Sequence, residues 1–395
     1  MSQVAEQPGN EGSETAPSGD SATLASLIAT EAKTTSPRFV FVDGLRGLAA
    51  LGIVIFHIWW YEPAPYPWLD SMHWIVDEGF KRFRAGVQVL LVISGFVIAY
   101  TFRNTWVTPR EFVSFVLRRL IRLVPAYWFT LACVVLVDLI CEAAGDFKAP
   151  YEGNLTLARV TAHMAFLQDI LGHKALSAGI WTICIEMQFY IVAILGWGLA
   201  QHAFPRPVPN EPRPSAFALL AVFAPLGFVS LFYWRVLDST TPWVIHFLWM
   251  FFLGMSTWWT LDRSLPRSWY AMIVTVAVLE LVYDAEWRYE NSVALLTSTA
   301  IYFVGCRGEL HRCLNWPWLQ YVGRISYSLY LVHFPVCHLL ITAGWKLFAD
   351  HPTAAQASVI LLASFGASLL SAHGLYTFVE APSLRLAARL KHTAT

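Results

Sequence analysis

Apolar runs of membrane-spanning or near-spanning length recur from about Phe39 to about residue 379, and no other feature constrains the chain as tightly. A helix needs about 20 apolar residues to cross the hydrocarbon core of a bilayer, where each backbone polar group must be satisfied within the segment itself. Ten such helices are expected, at about 40–60, 86–103, 121–143, 178–200, 216–234, 242–261, 268–284, 291–306, 327–347 and 355–379. The expected fold is therefore all-α, a polytopic membrane protein of about ten transmembrane helices. Composition agrees: 56% of the 395 residues are hydrophobic and 14% charged, with mean hydropathy +0.49. Soluble domains carry about 25% charged residues to wet their surface, so lipid must be the solvent here. The 18 Trp and 15 Tyr suit the two membrane interfaces. A net charge of zero offers nothing for nucleic acid.

Residues 1–36 are polar and without hydrophobic periodicity, and are expected to form a disordered cytoplasmic tail rather than a signal peptide. Residues 37–382 form the transmembrane domain, and 383–395 a short basic cytoplasmic tail. The stretch 155–171 is apolar but interrupted by Arg159, His163, Gln168 and Asp169, which suggests a re-entrant or interfacial helix. With the N-terminus in the cytoplasm, 15 of the 27 basic residues fall in inside segments and 8 in outside ones, which favours both termini inside. The six cysteines lack metal-ligand spacing and read as small buried hydrophobes, with no disulfide or metal implied.

Ionisable groups within spanning helices are costly and are candidates for function. The first helix carries Arg46 and His57, eleven residues apart and so on roughly one face, about 16 Å apart along the axis. The bland alternatives are a snorkelling Arg and a structural His. In the second helix Ser94 and Gly95 suit close helix packing. The third is entered by Arg118, Arg119 and Arg122; Arg118 and Arg122 are spaced i, i+4, which suits either a topology signal or a phosphate ligand. The fourth opens with Glu186, Gln188 and Tyr190, where a carboxylate in an apolar run needs a partner or a function. The ninth places Ser326, Tyr327, Tyr330 and His333 along one stretch, suited to interhelical hydrogen bonds or to a site. Glu380-Ala-Pro382 is expected to stop the last helix, with a salt bridge available to Glu380.

Taken in order, six segments carry a resemblance: DGLRGLAAL…H at 43–57, VISGFVI at 92–98, RRLIRLVPAYW at 118–128, WTICIEMQFY at 181–190, ISYSLYLVHFP at 325–335 and EAP at 380–382. Together they resemble the acyltransferase-3 family of bacterial membrane acyltransferases, which modify polysaccharides, lipopolysaccharide, peptidoglycan, Nod factors and macrolide sugars. The resemblance runs from about Phe39 to Pro382. It implies that His57 is the catalytic residue, and that Arg46 and the Arg119-x-x-Arg122 pair serve activity and acyl-coenzyme A. Leu90-Leu91 departs from the two phenylalanines of many relatives, in a position to reshape the acyl or acceptor pocket. Some relatives carry an added extracytoplasmic hydrolase-like domain. With none after Pro382, transfer is expected to be completed by the membrane domain or a separate partner.

The expected function is transfer of an acyl group, acetyl foremost, from acyl-coenzyme A to a hydroxyl of a carbohydrate or glycolipid of the cell envelope. His57 acts as base or nucleophile, with Glu186 orienting it and Arg46 assisting. Arg118, Arg119 and Arg122 face the donor phosphates, with Ser94, Tyr190, Ser326, Tyr330 and His333 lining the pocket and Ser94, Tyr190 or Ser326 available to an oxyanion. Acetyl-coenzyme A is the co-substrate, and no metal is called for. The expected setting is a cell membrane, the inner one in a bacterium. The apolar surface faces lipid or a second copy in a homo-oligomer. A proton-coupled transporter is the alternative, because intramembrane His, Glu and Arg also build proton pathways; no internal repeat supports it. A scaffold without enzymatic activity is the third class.

Overall fold

The computed structural model describes residues 39–60, 74–144, 154–204, 213–232, 243–283, 288–348 and 351–392. The expected tail over 1–36 lies outside them, as do several of the basic residues in the charge count, Lys148, Arg206 and Arg235 among them. Among the described residues every regular element is a helix. These are α1 (Val40–Trp60), α2 (Trp74–Arg82), α3 (Gly86–Phe102), α4 (Pro109–Ala144), α5 (Leu157–Met164), α6 (Ile180–Ala203), α7 (Ala216–Phe232), α8 (Leu248–Leu261), α9 (Arg267–Tyr283), α10 (Arg288–Cys306), α11 (Pro317–Leu347), α12 (Ala354–Leu375) and α13 (Ala381–His392). By length and composition six stretches can cross a membrane: 40–59, 78–102, 109–143, 180–203, 317–347 and 354–390.

A helix stands at each of the ten expected places, with six stretches among the described residues long and apolar enough to span; α8 begins at Leu248 rather than near 242, and three others differ in their limits for reasons of local chemistry. α4 begins at Pro109 rather than near 121, because Thr108 caps it, its Oγ1 accepting from Glu111 N–H at 3.2 Å, with proline at the first helical position. Arg118, Arg119 and Arg122 are thus inside a helix of 36 residues. α11 likewise starts on Pro317, ten residues before the apolar run does, which places Ser326 well within it. Glu380-Ala-Pro382 does not stop the last helix. A π-helical turn at Tyr376–Glu380 leads straight into α13, absorbing the proline that cannot donate a backbone hydrogen bond.

The segment at 155–171 yields only the eight-residue α5, too short to span. Its polar residues are buried, and they hold the segment. Arg159 donates to the carbonyls of Asn154, Lys174 and Ala175, and Tyr127 Oη donates to the carbonyl of His163 at 3.0 Å. His163 Nδ1 donates to Arg159 O at 2.7 Å, and Nε2 accepts from Leu176 N–H at 3.0 Å. Of the cysteines, Cys141, Cys184 and Cys337 are buried as expected; Cys133 and Cys313 are half-buried, and Cys306 is exposed at the end of α10.

Glycines let helices pack backbone to backbone, most closely in two pairs. In α3 and α8, a Cβ on Gly95 would lie 2.0 Å from Phe251 O, and one on Gly254 2.0 Å from Val92 O. In α1 and α11, a Cβ on Gly323 would lie 2.1 Å from Asp43 O. Small residues permit such approach where lipid supplies no hydrophobic drive between helices. Phe41 N–H donating to Leu310 O and Gln320 Nε2 donating to Val40 O, both at 2.9 Å, fix the register at this end of α1.

Gly323→Ala should therefore lower the melting temperature of the detergent-purified protein, by a change of about 1–3 kcal/mol typical of overpacking. Gly366→Ala, in α12 with nothing within 4 Å of the added carbon, should be neutral or stabilising. Burial pushes His163 down to about 4 from 6.5, with the nearby Arg159 charge acting in the same direction. The unfolded chain then binds the extra proton, so this contribution is complete above pH 6.5 and is lost as pH falls through 6.5 towards 4. A thermal-melt series across that window should show the decline, and His163→Gln should flatten it.

Candidate active site

The fold gathers most of the candidate residues around two neighbouring chambers. The first, of about 120 Å³, is lined by Arg46 from α1, Ser94 from α3, Arg119 and Arg122 from α4, Glu186 and Tyr190 from α6, and Ser326 and Tyr330 from α11. Leu90 and Leu91 line it too, so the expected departure at these positions does bear on this cavity. Its charges are only partly compensated. The Arg119 guanidinium lies over the rings of Tyr190 at 4.6 Å and Phe115 at 5.4 Å. Neither Arg46 nor Arg122 forms a hydrogen bond or ion pair with another described residue. The buried Glu380 carboxylate feels both charges and accepts a hydrogen bond from Ser328 Oγ at 2.5 Å. Arg118 points elsewhere, donating to Ser114 Oγ on its own helix. The arginine pair at the cavity is therefore 119 and 122, spaced i, i+3, rather than 118 and 122.

The second chamber, of about 280 Å³, is lined by His57 and Phe56 from α1, Gln88 from α3, Trp181 from α6, Phe247 before α8, and Glu290 from α10. Arg84, at its edge, donates to Glu290 Oε1. Val87 and Tyr330 line both chambers and so form the wall between them. Tyr330 Oη is 2.5 Å from Thr182 Oγ1, which fixes the ring in that wall.

His57 and Glu186 therefore lie in different chambers, and the expected pairing is corrected. Glu186 Oε1 accepts from Ser94 Oγ at 3.2 Å and from Tyr190 Oη, with Arg119 within electrostatic reach. The partner of His57 is His333: His333 Nε2 is 3.1 Å from His57 Nδ1, with ring centroids 4.9 Å apart. Two backbone carbonyls determine the tautomers, since a carbonyl can only accept. His333 Nδ1 is 3.0 Å from Leu329 O and so carries a proton, which leaves Nε2 as the acceptor in the neutral ring. His57 Nδ1 is 2.9 Å from Ile53 O and so carries one as well, shared with His333 Nε2. The lone pair of His57 then resides on Nε2. Burial explains why this arrangement holds, since His333 is 0% exposed.

The sequence model of the acyltransferase domain of the acyltransferase-3 family matches residues 39–373. The chain belongs to the acyltransferase-3 family. It is 28% identical over 363 residues to BcsY of Komagataeibacter xylinus, provisionally named a membrane-bound transacylase, covering 87% of this chain and 82% of that one. It is 25% identical over 382 residues to the O-acetyltransferase OatA of Staphylococcus aureus, covering 89% of this chain and 58% of OatA. To YrhL of Bacillus subtilis, provisionally named a peptidoglycan O-acetyltransferase, it is 23% identical over 337 residues, covering 77% and 49%. The chain thus spans little more than half the length of OatA and about half that of YrhL. No solved structure matches it. The protein is an acyltransferase of a membrane, built on a helical domain with six stretches able to span.

Sequence reasoning passed over Gln88, Glu290, Arg84 and the Tyr330–Thr182 contact. Gln88 was detectable as a polar side chain in an apolar helix. Glu290 was not, because the apolar run begins only after it. The division between the arginines is open to direct test. In this acyltransferase Arg122→Ala should lower activity about 10–100-fold, as loss of a charge-assisted contact does, while Arg118→Ala stays near wild type. Initial-rate measurements against donor concentration distinguish the two.

Proposed function

We propose that this acyltransferase moves an acetyl or other short acyl group from acyl-coenzyme A to a hydroxyl of a carbohydrate or glycolipid, with His57 as general base. The observation that carries the reading is the pair of chambers of opposite chemistry divided by one tyrosine. One presents three arginines, two of them without a hydrogen bond or ion pair to another described residue; the other presents a histidine with its Nε2 lone pair unused. Phosphates need cations, and Arg46, Arg119 and Arg122 supply them at the donor's end. The rise of about 16 Å from Arg46 to His57 matches the reach of an extended pantetheine arm, which would bring the thioester past Tyr330.

In the step itself, the acceptor hydroxyl gives its proton to His57 Nε2 as its oxygen bonds to the thioester carbonyl carbon. The tetrahedral intermediate collapses by breaking the carbon–sulfur bond. The leaving thiolate then takes the proton back from His57 Nε2, giving coenzyme A thiol and the acyl ester. Throughout, His57 Nδ1–H donates to Ile53 O and His333 Nε2, so the ring stays oriented and its transient positive charge faces two acceptors. His333 occupies the place a carboxylate takes in a catalytic triad. Glu186 is a positioning residue in the donor chamber, holding Tyr190 and Ser94 and balancing Arg119. The relatives' names support a carbohydrate acceptor of the cell envelope, since two of them are O-acetyltransferases and one of those is named for peptidoglycan.

The same reading puts ten helices across a cell membrane with both termini in the cytoplasm, so that coenzyme A meets the arginine side. Reporter fusions at the two termini should both report cytoplasm; an external signal at both would reverse the assignment of the chambers, and at one alone would overturn the count of ten.

The decisive test is coenzyme A release and ester formation by purified protein supplied with acetyl-coenzyme A and a glycan panel. His57→Ala should lose about 10²–10⁴-fold in transfer while inserting normally. His333→Leu should lower kcat with little change in donor KM. A fully active His57→Ala sinks the mechanism. Flux of a solute in liposomes without coenzyme A consumption would replace the reading with transport.

A further inference from the structure

The second chamber holds more than His57. Among its lining groups, Gln88 is 6% exposed and Glu290 4% exposed, and each has a buried oxygen with no hydrogen-bond partner: Gln88 Oε1 and Glu290 Oε2. A buried acceptor left unsatisfied costs about 1–3 kcal/mol, more when charged, so each such atom calls for an explanation. Both residues line a cavity that also has an aromatic side. Trp181 and Phe247 line it with ring centroids 5.7 Å apart and planes at 41°.

We infer that this chamber is the acceptor subsite, and that Gln88 and Glu290 select a single pyranose ring by accepting hydrogen bonds from hydroxyls other than the one acylated. This rests on the reading of His57 as the base, and names what stands opposite it. Three features point to one sugar ring rather than to an alcohol or a lipid. Two orphaned acceptors at separate positions match a ligand carrying several donors. Two aromatic rings suit a ligand with an apolar C–H face, as a pyranose has. The volume of about 280 Å³ lies just below the roughly 300–1,000 Å³ of pockets for drug-sized molecules, which admits one ring and leaves the rest of a glycan outside.

Arg84 gives the arrangement its rigidity. Its guanidinium donates to Glu290 Oε1, while its side chain is 59% exposed and that of Glu290 5%. The pair therefore holds one carboxylate oxygen and leaves the other for the ligand. A site built to satisfy sugar hydroxyls discriminates strongly against analogues lacking them, because its own polar atoms are then stranded.

Isothermal titration of the full-length protein in detergent with methyl glucoside, methyl galactoside and methyl N-acetylglucosaminide tests this, run beside acetyl-coenzyme A. Wild type should bind at least one pyranoside; Gln88→Leu and Glu290→Gln should each weaken it about tenfold or more, with acetyl-coenzyme A affinity held within roughly twofold. A second measurement needs no variant. A saturating pyranoside should shield His57 of the wild type from carbethoxylation, read by peptide mass mapping. Failure of the wild type to bind any of the three sugars, unchanged sugar affinity in both variants, or an unshielded His57 overturns the acceptor subsite. Absence of acetyl-coenzyme A binding by the wild type is the separate result that would overturn the donor chemistry, whatever the sugars do.

Discussion

The site depends on how closely α1 and α11 approach. At Gly323 there is no room for a methyl group, because the carbonyl of Asp43 occupies the space where a Cβ would project. Gly47 repeats the contact one turn further along α1, where a Cβ would lie 2.9 Å from Leu319 O. Two helices packed at this distance from their lower ends run together long enough for His57 and His333 to meet at 3.1 Å. Each ring is then fixed by a carbonyl of its own helix, four residues back in both cases: Ile53 for His57 and Leu329 for His333. Backbone geometry, not a neighbouring charge, thus sets the tautomers. A second glycine-mediated pair, α3 against α8, positions the other wall in the same manner, with Ser94 and Gln88 on α3 each facing one of the chambers.

The ionisable residues are arranged so that few are matched one to one. Glu186 is held by two hydroxyls, with Arg119 near but stacked on aromatic rings. Glu380 is held by Ser328, with Arg46 and Arg122 acting at longer range. In a low-dielectric interior, closing each cation onto a carboxylate would satisfy the protein and leave nothing for a ligand. Keeping the carboxylates on hydroxyls, with the arginines available, gives the first chamber a surplus of positive charge suited to an anionic guest.

Much of this was readable from the residues, because the hydrophobic runs and the rare charges within them are strong signals. A helix stands at each of the ten expected places, six stretches among the described residues being long and apolar enough to span, and of the eleven candidate residues eight line the first chamber. His57 and His333 were singled out separately and prove to be a pair. What failed did so for physical reasons. Helix limits at Pro109 and Pro317 were missed because an apolar run is not the same thing as a hydrogen-bonded helix; capping by Thr108 and the helix-forming arginines extend α4 beyond its apolar part. The continuation through Pro382 needed a π turn that no residue pattern announces. Which carboxylate faces which histidine is a tertiary matter: Glu186 and His57 are far apart in sequence, and periodicity within one helix says nothing about which chamber its side chain enters. Glu290 belongs to a helix whose apolar run starts after it, so its burial becomes visible only when α10 is packed against the others.

The wall between the chambers bears on a difficulty any such enzyme faces. A thioester exposed to water beside a general base is hydrolysed, and the acyl group is lost. On the proposed reading, the donor and acceptor enter from opposite ends and share only the boundary formed by Val87 and Tyr330. The tyrosine is held by Thr182, and Thr182 Oγ1 is itself 3.0 Å from Gly179 O, so the resting position of the boundary is set from α6. Its ring also lies 5.9 Å from that of His333, next to the pair that would do the proton transfer. The base is therefore screened from the donor side until a thioester passes this ring, and from the acceptor side by whatever fills the chamber of Gln88 and Glu290. A sugar ring there would displace the water that otherwise competes for the acyl group. On that reading, specificity for the acceptor and protection of the donor come from the same packing, in which the described residues lining both chambers are Val87 and Tyr330.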